Sequence, residues 1–104
     1  MADLKRRFPD TRFKFVLAGV GSTGSTYGAF RLSRDVLEGR KVDLLFEEAA
    51  VNDLYIGRTA TEQMRGMEGI VRHARKANPN IDIVMMHFAC PTKVEDYNQG
   101  KTPE

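Results

Sequence analysis

The sequence predicts an α/β fold built on a parallel sheet, on three observations. Strand-like apolar runs alternate with segments of helical periodicity along the chain. The run from Ile81 to Phe88 is apolar almost throughout, the pattern of a strand covered on both faces. No linker, low-complexity tract or break in composition interrupts the alternation, so residues 1–104 read as one domain. Two consecutive strand-helix-strand units imply parallel pairing through right-handed crossovers.

Each element has its own signal. From Phe13 to Val20, the residues Phe13, Phe15 and Leu17 alternate with Lys14, Val16 and Ala18 before the chain breaks at glycines, as a strand entering a loop does. Ala29, Leu32 and Val36 then recur at helical spacing, and Gly39 is a stop for that helix. The second strand is Val42–Glu48. Thr59-Ala-Thr-Glu62 is a capping box, in which Thr59 and Glu62 satisfy free amides at the start of the second helix. Met64, Met67, Val71 and Ala74 mark the stripe expected to be buried along it. Asn78-Pro79-Asn80 ends it, because proline cannot continue the hydrogen-bond ladder and restricts its predecessor. After the third strand, residues 89–104 contain the start of a further helix.

At 104 residues, with 41% hydrophobic and 29% charged, the chain has the profile of a soluble globular protein. No apolar run approaches the roughly 20 residues needed to cross a bilayer. The opening Met-Ala-Asp-Leu-Lys-Arg-Arg lacks the apolar core of a signal peptide, so the expected location is cytoplasmic. The net charge of +2 comes from 16 basic and 14 acidic residues, mostly interspersed, which argues against a nucleic-acid surface. Lys5-Arg6-Arg7 reads as a solvated helix face. The lone Cys90 excludes an internal disulfide and a multi-cysteine metal site, and its ordinary role is that of a small buried hydrophobe.

Two segments carry chemistry. The run Val42-Asp-Leu-Leu-Phe-Glu-Glu-Ala-Ala-Val-Asn-Asp53 feeds an apolar strand into Asn52 and Asp53 at the carboxyl edge of the sheet, where open α/β folds keep ligand sites. Asn and Asp are also ordinary turn and capping residues there. The loop Gly19-Val-Gly-Ser-Thr-Gly24 matches G-x-G-x-x-G through Gly19, Gly21 and Gly24, with Glu47 and Glu48 near the distance of a ribose-binding acid. That is one reading, a nucleotide-binding module. A phosphate-binding P-loop fails, because Ser25 stands where lysine should follow. The other reading joins loop amides and the Asn52 side chain on one oxygen atom, as an oxyanion hole does: its donors are uncharged and aimed.

Three runs, Gly19-Val-Gly-Ser-Thr-Gly-Ser-Thr-Tyr-Gly-Ala-Phe-Arg-Leu32, Asp43-Leu-Leu-Phe-Glu-Glu-Ala-Ala-Val-Asn-Asp53 and Arg65-Gly-Met-Glu-Gly-Ile-Val-Arg72, closely resemble the SGNH hydrolases, or GDSL-like lipases and acylhydrolases. The resemblance extends through Ile81-Asp-Ile-Val84 and the tail Asp96-Tyr-Asn-Gln-Gly-Lys-Thr-Pro103. It implies a three-layer flavodoxin-like parallel sheet, incomplete here, with about three strands and two to three helices. It also implies a serine nucleophile, a histidine base near an aspartate, and an oxyanion hole made of a serine amide, a glycine amide and an asparagine side chain. The family's asparagine falls on Asn52, with Asp53 as its supporting neighbour. Its glycine falls on Ser22, whose backbone N–H can still donate, with Gly21 as the fallback, and Leu17 sits where many members carry an asparagine.

The family's Gly-Asp-Ser block and Asp-x-x-His block are absent from the sequence. His73 and His87 lack an aspartate three residues before them; His73 is expected on a helix face and His87 on the third strand. A Cys90–His87 pair near the sheet's carboxyl edge has nothing to orient it. The expectation is a portion of an ester hydrolase that contributes oxyanion-hole residues and is inactive alone. The resemblance implies no metal or organic cofactor. It implies a small O-acyl ester as substrate, an acetylated sugar or a short-chain lipid. A non-catalytic scaffold remnant is the further alternative. In the resembled fold a central strand lies between the counterparts of Phe13–Val20 and Val42–Glu48, so both should offer unpaired edges and invite self-association.

Overall fold

A computed structural model describes residues 2–101; Thr102 and Pro103, at the end of the tail used in the family resemblance, lie outside the described residues. Along the chain come α1 (Ala2–Arg7), α2 (Ser25–Leu32) running into a π-helical turn (Ser33–Leu37), β1 (Leu44–Glu47), α3 (Ala50–Tyr55), α4 (Ala60–Ala77), β2 (Asp82–Met85) and α5 (Pro91–Asn98). The fold is mixed α/β with a two-stranded parallel sheet, Leu44 opposite Asp82 and Glu47 opposite Met85. The ladder is extended at its ends by Asp82 N–H to the Asp43 carbonyl, 2.9 Å, and Met86 N–H to the Glu47 carbonyl, 2.8 Å.

The local signals produced the elements they announce. Thr59 Oγ1 accepts from the Glu62 amide at 3.3 Å while Glu62 Oε2 accepts from the Thr59 amide at 3.0 Å, so both halves of the capping box are present. The last turn of α4 closes on Asn78, which also anchors the strand edge: its Nδ2 donates to the Val42 carbonyl at 2.9 Å and its Oδ1 accepts from the Asn80 amide. Gly39 adopts φ +66°, a left-handed conformation that glycine enters without steric cost, and turns the chain from the π-helical segment toward β1. Lys5, Arg6 and Arg7 lie exposed on α1.

The core is a cluster of Leu32, Val36, Leu37, Ile70, Ala74 and Ile81, with Ala18, Ala29, Val42, Leu45 and Ile83 against it. Its main contact is α2 on α4. The axis of α4 comes so close to α2 that a Cβ on Gly66 would stand 2.2 Å from Ser25 Oγ and 2.8 Å from the Thr26 backbone nitrogen. That close crossing decides which face of α4 is buried. Gly66, Ile70 and Ala74 lie inside, whereas Met64 is 70% exposed and Met67 and Val71 are half-buried, so the expected stripe is corrected by a rotation toward the small residue that admits α2.

Three further expectations differ from the structure. Phe13–Val20 is extended but forms no strand, and Leu17 stands 87% exposed. Alternation makes a strand-like face, and Phe13 and Phe15 do stack at 5.9 Å. Ladder hydrogen bonds, however, require a neighbouring strand, and none lies beside this segment. The third strand is shorter than Ile81–Phe88, and only Ile81 is fully buried; Val84, Met85 and Phe88 are exposed, the last two on the open wall of a cavity. Nor was α3 foreseen: the chain turns into helix at Ala50, with Val51 N–H held by Glu48 Oε1 at 3.1 Å.

The radius of gyration is 15.7 Å, against about 13 Å for a compact chain of this length. The excess matches the extended segment and the sparse packing of α1 and α5. The free edge of β1 carries Leu44 and Phe46, 44% and 55% exposed, and remains available for pairing. Hydrogen exchange at low concentration should find the amides of residues 13–20 unprotected, with protection appearing only as concentration drives assembly. Strong protection in a dilute monomer would overturn this.

Candidate functional site

The glycine loop meets the end of the first strand through α3. From 29 residues away, Asn52 Nδ2 donates to the Thr23 carbonyl at 3.0 Å. Next to it Asp53, only 1% exposed, accepts from the Ser25 backbone amide with Oδ1 at 2.9 Å. That amide is the first of α2, so a buried carboxylate sits where the helix offers unsatisfied N–H groups and a favourable dipole. The loop glycine with a steric requirement is Gly24, where a Cβ would collide with Asp53 Oδ1 at 2.0 Å. At Gly19 and Gly21 a Cβ would meet nothing within 4 Å.

Ser22 holds φ +60°, unusual for a residue with a side chain, and the loop is steadied below it by Thr23 Oγ1 donating to the Val20 carbonyl at 2.6 Å. A cavity of about 220 Å³ opens here, with Ser22, Thr23, Gly24, Tyr27, Asp53 and Arg58 on its wall. Thus Asn52 is tied to the residue after Ser22, and Asp53 to the residue after Gly24. Gly21 is exposed in the same loop, and Leu17 projects into solvent. A phosphate on the start of α2 would find the Ser25 amide occupied and a carboxylate beside it, an arrangement unfavourable to an anion.

A larger cavity, about 600 Å³, lies between α3, the start of α4 and the segment from the end of β2 into α5. Val51, Leu54, Met64, Met67, Met85 and Phe88 supply its apolar wall; Gln63, His87, Cys90, Lys93 and again Asp53 supply polar groups. His87 lies beyond β2 and not within it, and His73 is on the exposed face of α4, 3.1 Å from Ser33 Oγ. Cys90 caps the start of α5. Its thiol is held below the usual range by the Thr92 hydroxyl, the Lys93 backbone amide and the Lys93 charge. Among the described residues no three His, Cys, Asp or Glu side chains gather as a metal site. No helix among them is long and apolar enough to cross a membrane.

The sequence singled out Asp53 and Glu47 but not their burial together behind the site. Glu47, 8% exposed on the covered face of β1, has its carboxyl pushed up to about 7 by burial and by the neighbouring charges of Glu48 and Asp53. Glu47 Oε2 and Asp53 Oδ2 both lack hydrogen-bond partners among the described residues. The signal was its period-two relation to Leu45, which puts an acid on the inward face. Folded protein therefore retains a proton that the unfolded chain releases near 4.5, so stability is greatest below that pH and falls as pH rises through 7. Glu47→Gln should be nearly neutral at about pH 5 and stabilising at about pH 8, by up to about 3 kcal/mol, with a higher Tm in thermal melts across that range.

In comparisons with known proteins the chain matches no family model, no curated protein and no solved structure, so a functional reading rests on the glycine loop, Asn52, and the two cavities that Asp53 borders.

Proposed function

We propose that these residues form part of a flavodoxin-like, SGNH-type ester hydrolase and supply the oxyanion-stabilising side of its site. The observation that carries this reading is the direct bond from Asn52 to the Thr23 carbonyl, which ties an amide side chain to the glycine loop just beyond the carboxyl end of β1. Asn52 Nδ2 has two hydrogens and spends one on the Thr23 carbonyl; the other, with the Ser22 N–H, would donate to the oxygen that gains charge when an ester carbonyl is attacked. Asp53 would hold the loop through the Ser25 amide, and its role is to position the donors. Serine and histidine, which would attack and carry the proton, come from outside these residues.

Two measurements test the reading. This chain alone should give no turnover of an activated acetate ester that a serine-directed phosphonate abolishes; such turnover would refute the division of labour. Joined to a nucleophile block and an Asp-x-x-His block from an SGNH hydrolase, the same residues should support phosphonate-sensitive turnover. A folded but inert product would refute the reading itself.

A further inference from the structure

The larger cavity has the features of a small-molecule site. Its volume of about 600 Å³ lies within the roughly 300–1,000 Å³ usual for ligand pockets, and it combines an apolar wall with few polar groups. Three methionines, Met64, Met67 and Met85, line it, and such side chains adapt to flexible apolar chains. Its polar groups differ in how well they are satisfied. Lys93 Nζ stands 3.8 Å from Asp96 Oδ2, so its charge is countered. Asp53 is 1% exposed, spends Oδ1 on the Ser25 amide and leaves Oδ2 without a partner. A buried acceptor left unmatched costs about 1–3 kcal/mol, and a ligand that donates to it recovers part of that cost.

We propose that this cavity binds an uncharged amphiphile, a medium-length apolar chain bearing a hydroxyl or amide donor, with the chain against Met64, Met67 and Met85 and the donor on Asp53 Oδ2. An acid head is disfavoured, because it would bring a second carboxylate against that of Asp53 in a poorly solvated place. Asp53 also lines the small cavity beside Ser22, so the two cavities meet at this residue. Identifying the amphiphile as the acyl-bearing part of an ester rests on the hydrolase reading; the binding itself does not. It directs that reading toward medium-chain acyl esters with a free hydroxyl and away from acetates.

Methionine methyl NMR on the chain as it stands provides the test, since Met86 does not line the cavity and serves as an internal control. Octanamide and 1-octanol should shift the Met64, Met67 and Met85 methyls saturably and leave Met86 in place. They should also slow alkylation of Cys90, which borders the same cavity. Acetamide should do neither, and octanoate should bind at least about tenfold more weakly, a difference of about 1.4 kcal/mol. Met64→Lys, at a 70% exposed position that tolerates charge, should weaken octanamide about tenfold with the spectrum otherwise intact. Unsaturable shifts, shifts shared by Met86, or acetamide equal to octanamide would overturn the site; octanoate equal to octanamide would overturn the role of Asp53. Octanamide binding combined with an inert completed enzyme would refute the hydrolase reading alone. Acetate turnover without octanamide binding would refute the cavity alone.

Discussion

In a completed enzyme of the proposed kind carrying these residues, Asn52→Ala should lower kcat by about a hundred- to a thousand-fold and change KM little, the loss expected when one oxyanion donor is removed. The expected effect is large because such a donor would work where charge appears only in the transition state. Asn52 has a second task, holding the Thr23 carbonyl, so its removal also loosens the loop. Thr23→Gly is the control for loop loosening: it keeps the carbonyl that Asn52 holds but deletes the hydroxyl that steadies the loop, and should cost far less than Asn52→Ala. A fall in kcat of less than threefold for Asn52→Ala, with the fold intact by circular dichroism, would reduce Asn52 to a helix residue that braces a turn.

Gly66→Ala has the second-largest expected effect, and its sign is opposite to helix propensity. In an isolated helix alanine would gain about 1 kcal/mol over glycine. Here the added Cβ would meet Ser25 Oγ at 2.2 Å, Ser25 Cβ at 2.8 Å and the Thr26 backbone nitrogen at 2.8 Å. A side-chain hydroxyl can rotate away; a backbone nitrogen at the start of α2 cannot move without carrying the helix along. Overpacking of this kind costs about 1–3 kcal/mol or more, and α2 on α4 is the principal packing contact of the fold. Urea denaturation should show the midpoint falling with little change in slope, or an already unfolded baseline. Gly69→Ala offers the comparison on the same helix: its Cβ would meet only the Ala29 side chain at 3.0 Å, so the loss should be smaller.

What the sequence made legible was local or strongly periodic. The Thr59–Glu62 box needs only a four-residue span, Gly39 only its own φ, and Asn78 only the proline that follows. The parallel relation of the two observed strands was also readable, because a helix of α4's length must cross between them. What depended on distant partners was not. Phe13–Val20 carries a strand pattern but has no strand to pair with, and the α4 face depended on how closely α2 approaches Gly66. At the site, Asn52 and Asp53 could be placed at a sheet edge, but their bonds to Thr23 and Ser25 cross nearly thirty residues of chain. The large cavity had no sequence signal at all, since its walls come from three separate segments.

Asp53 fixes the first amide of α2 with one oxygen and borders both cavities. A ligand that engages Asp53 would therefore link loop order to cavity occupancy. A molecule that draws Asp53 toward the large cavity must weaken its hold on Ser25, and one that holds Asp53 in place must stiffen the loop. By linkage the factor is the same in both directions: whatever the loop does to affinity in the large cavity, occupancy of that cavity does to the loop. If the proposed ligand shifts Asp53, a carboxylate shared in this way would couple the two cavities, and a ligand in one would be read as order in the other.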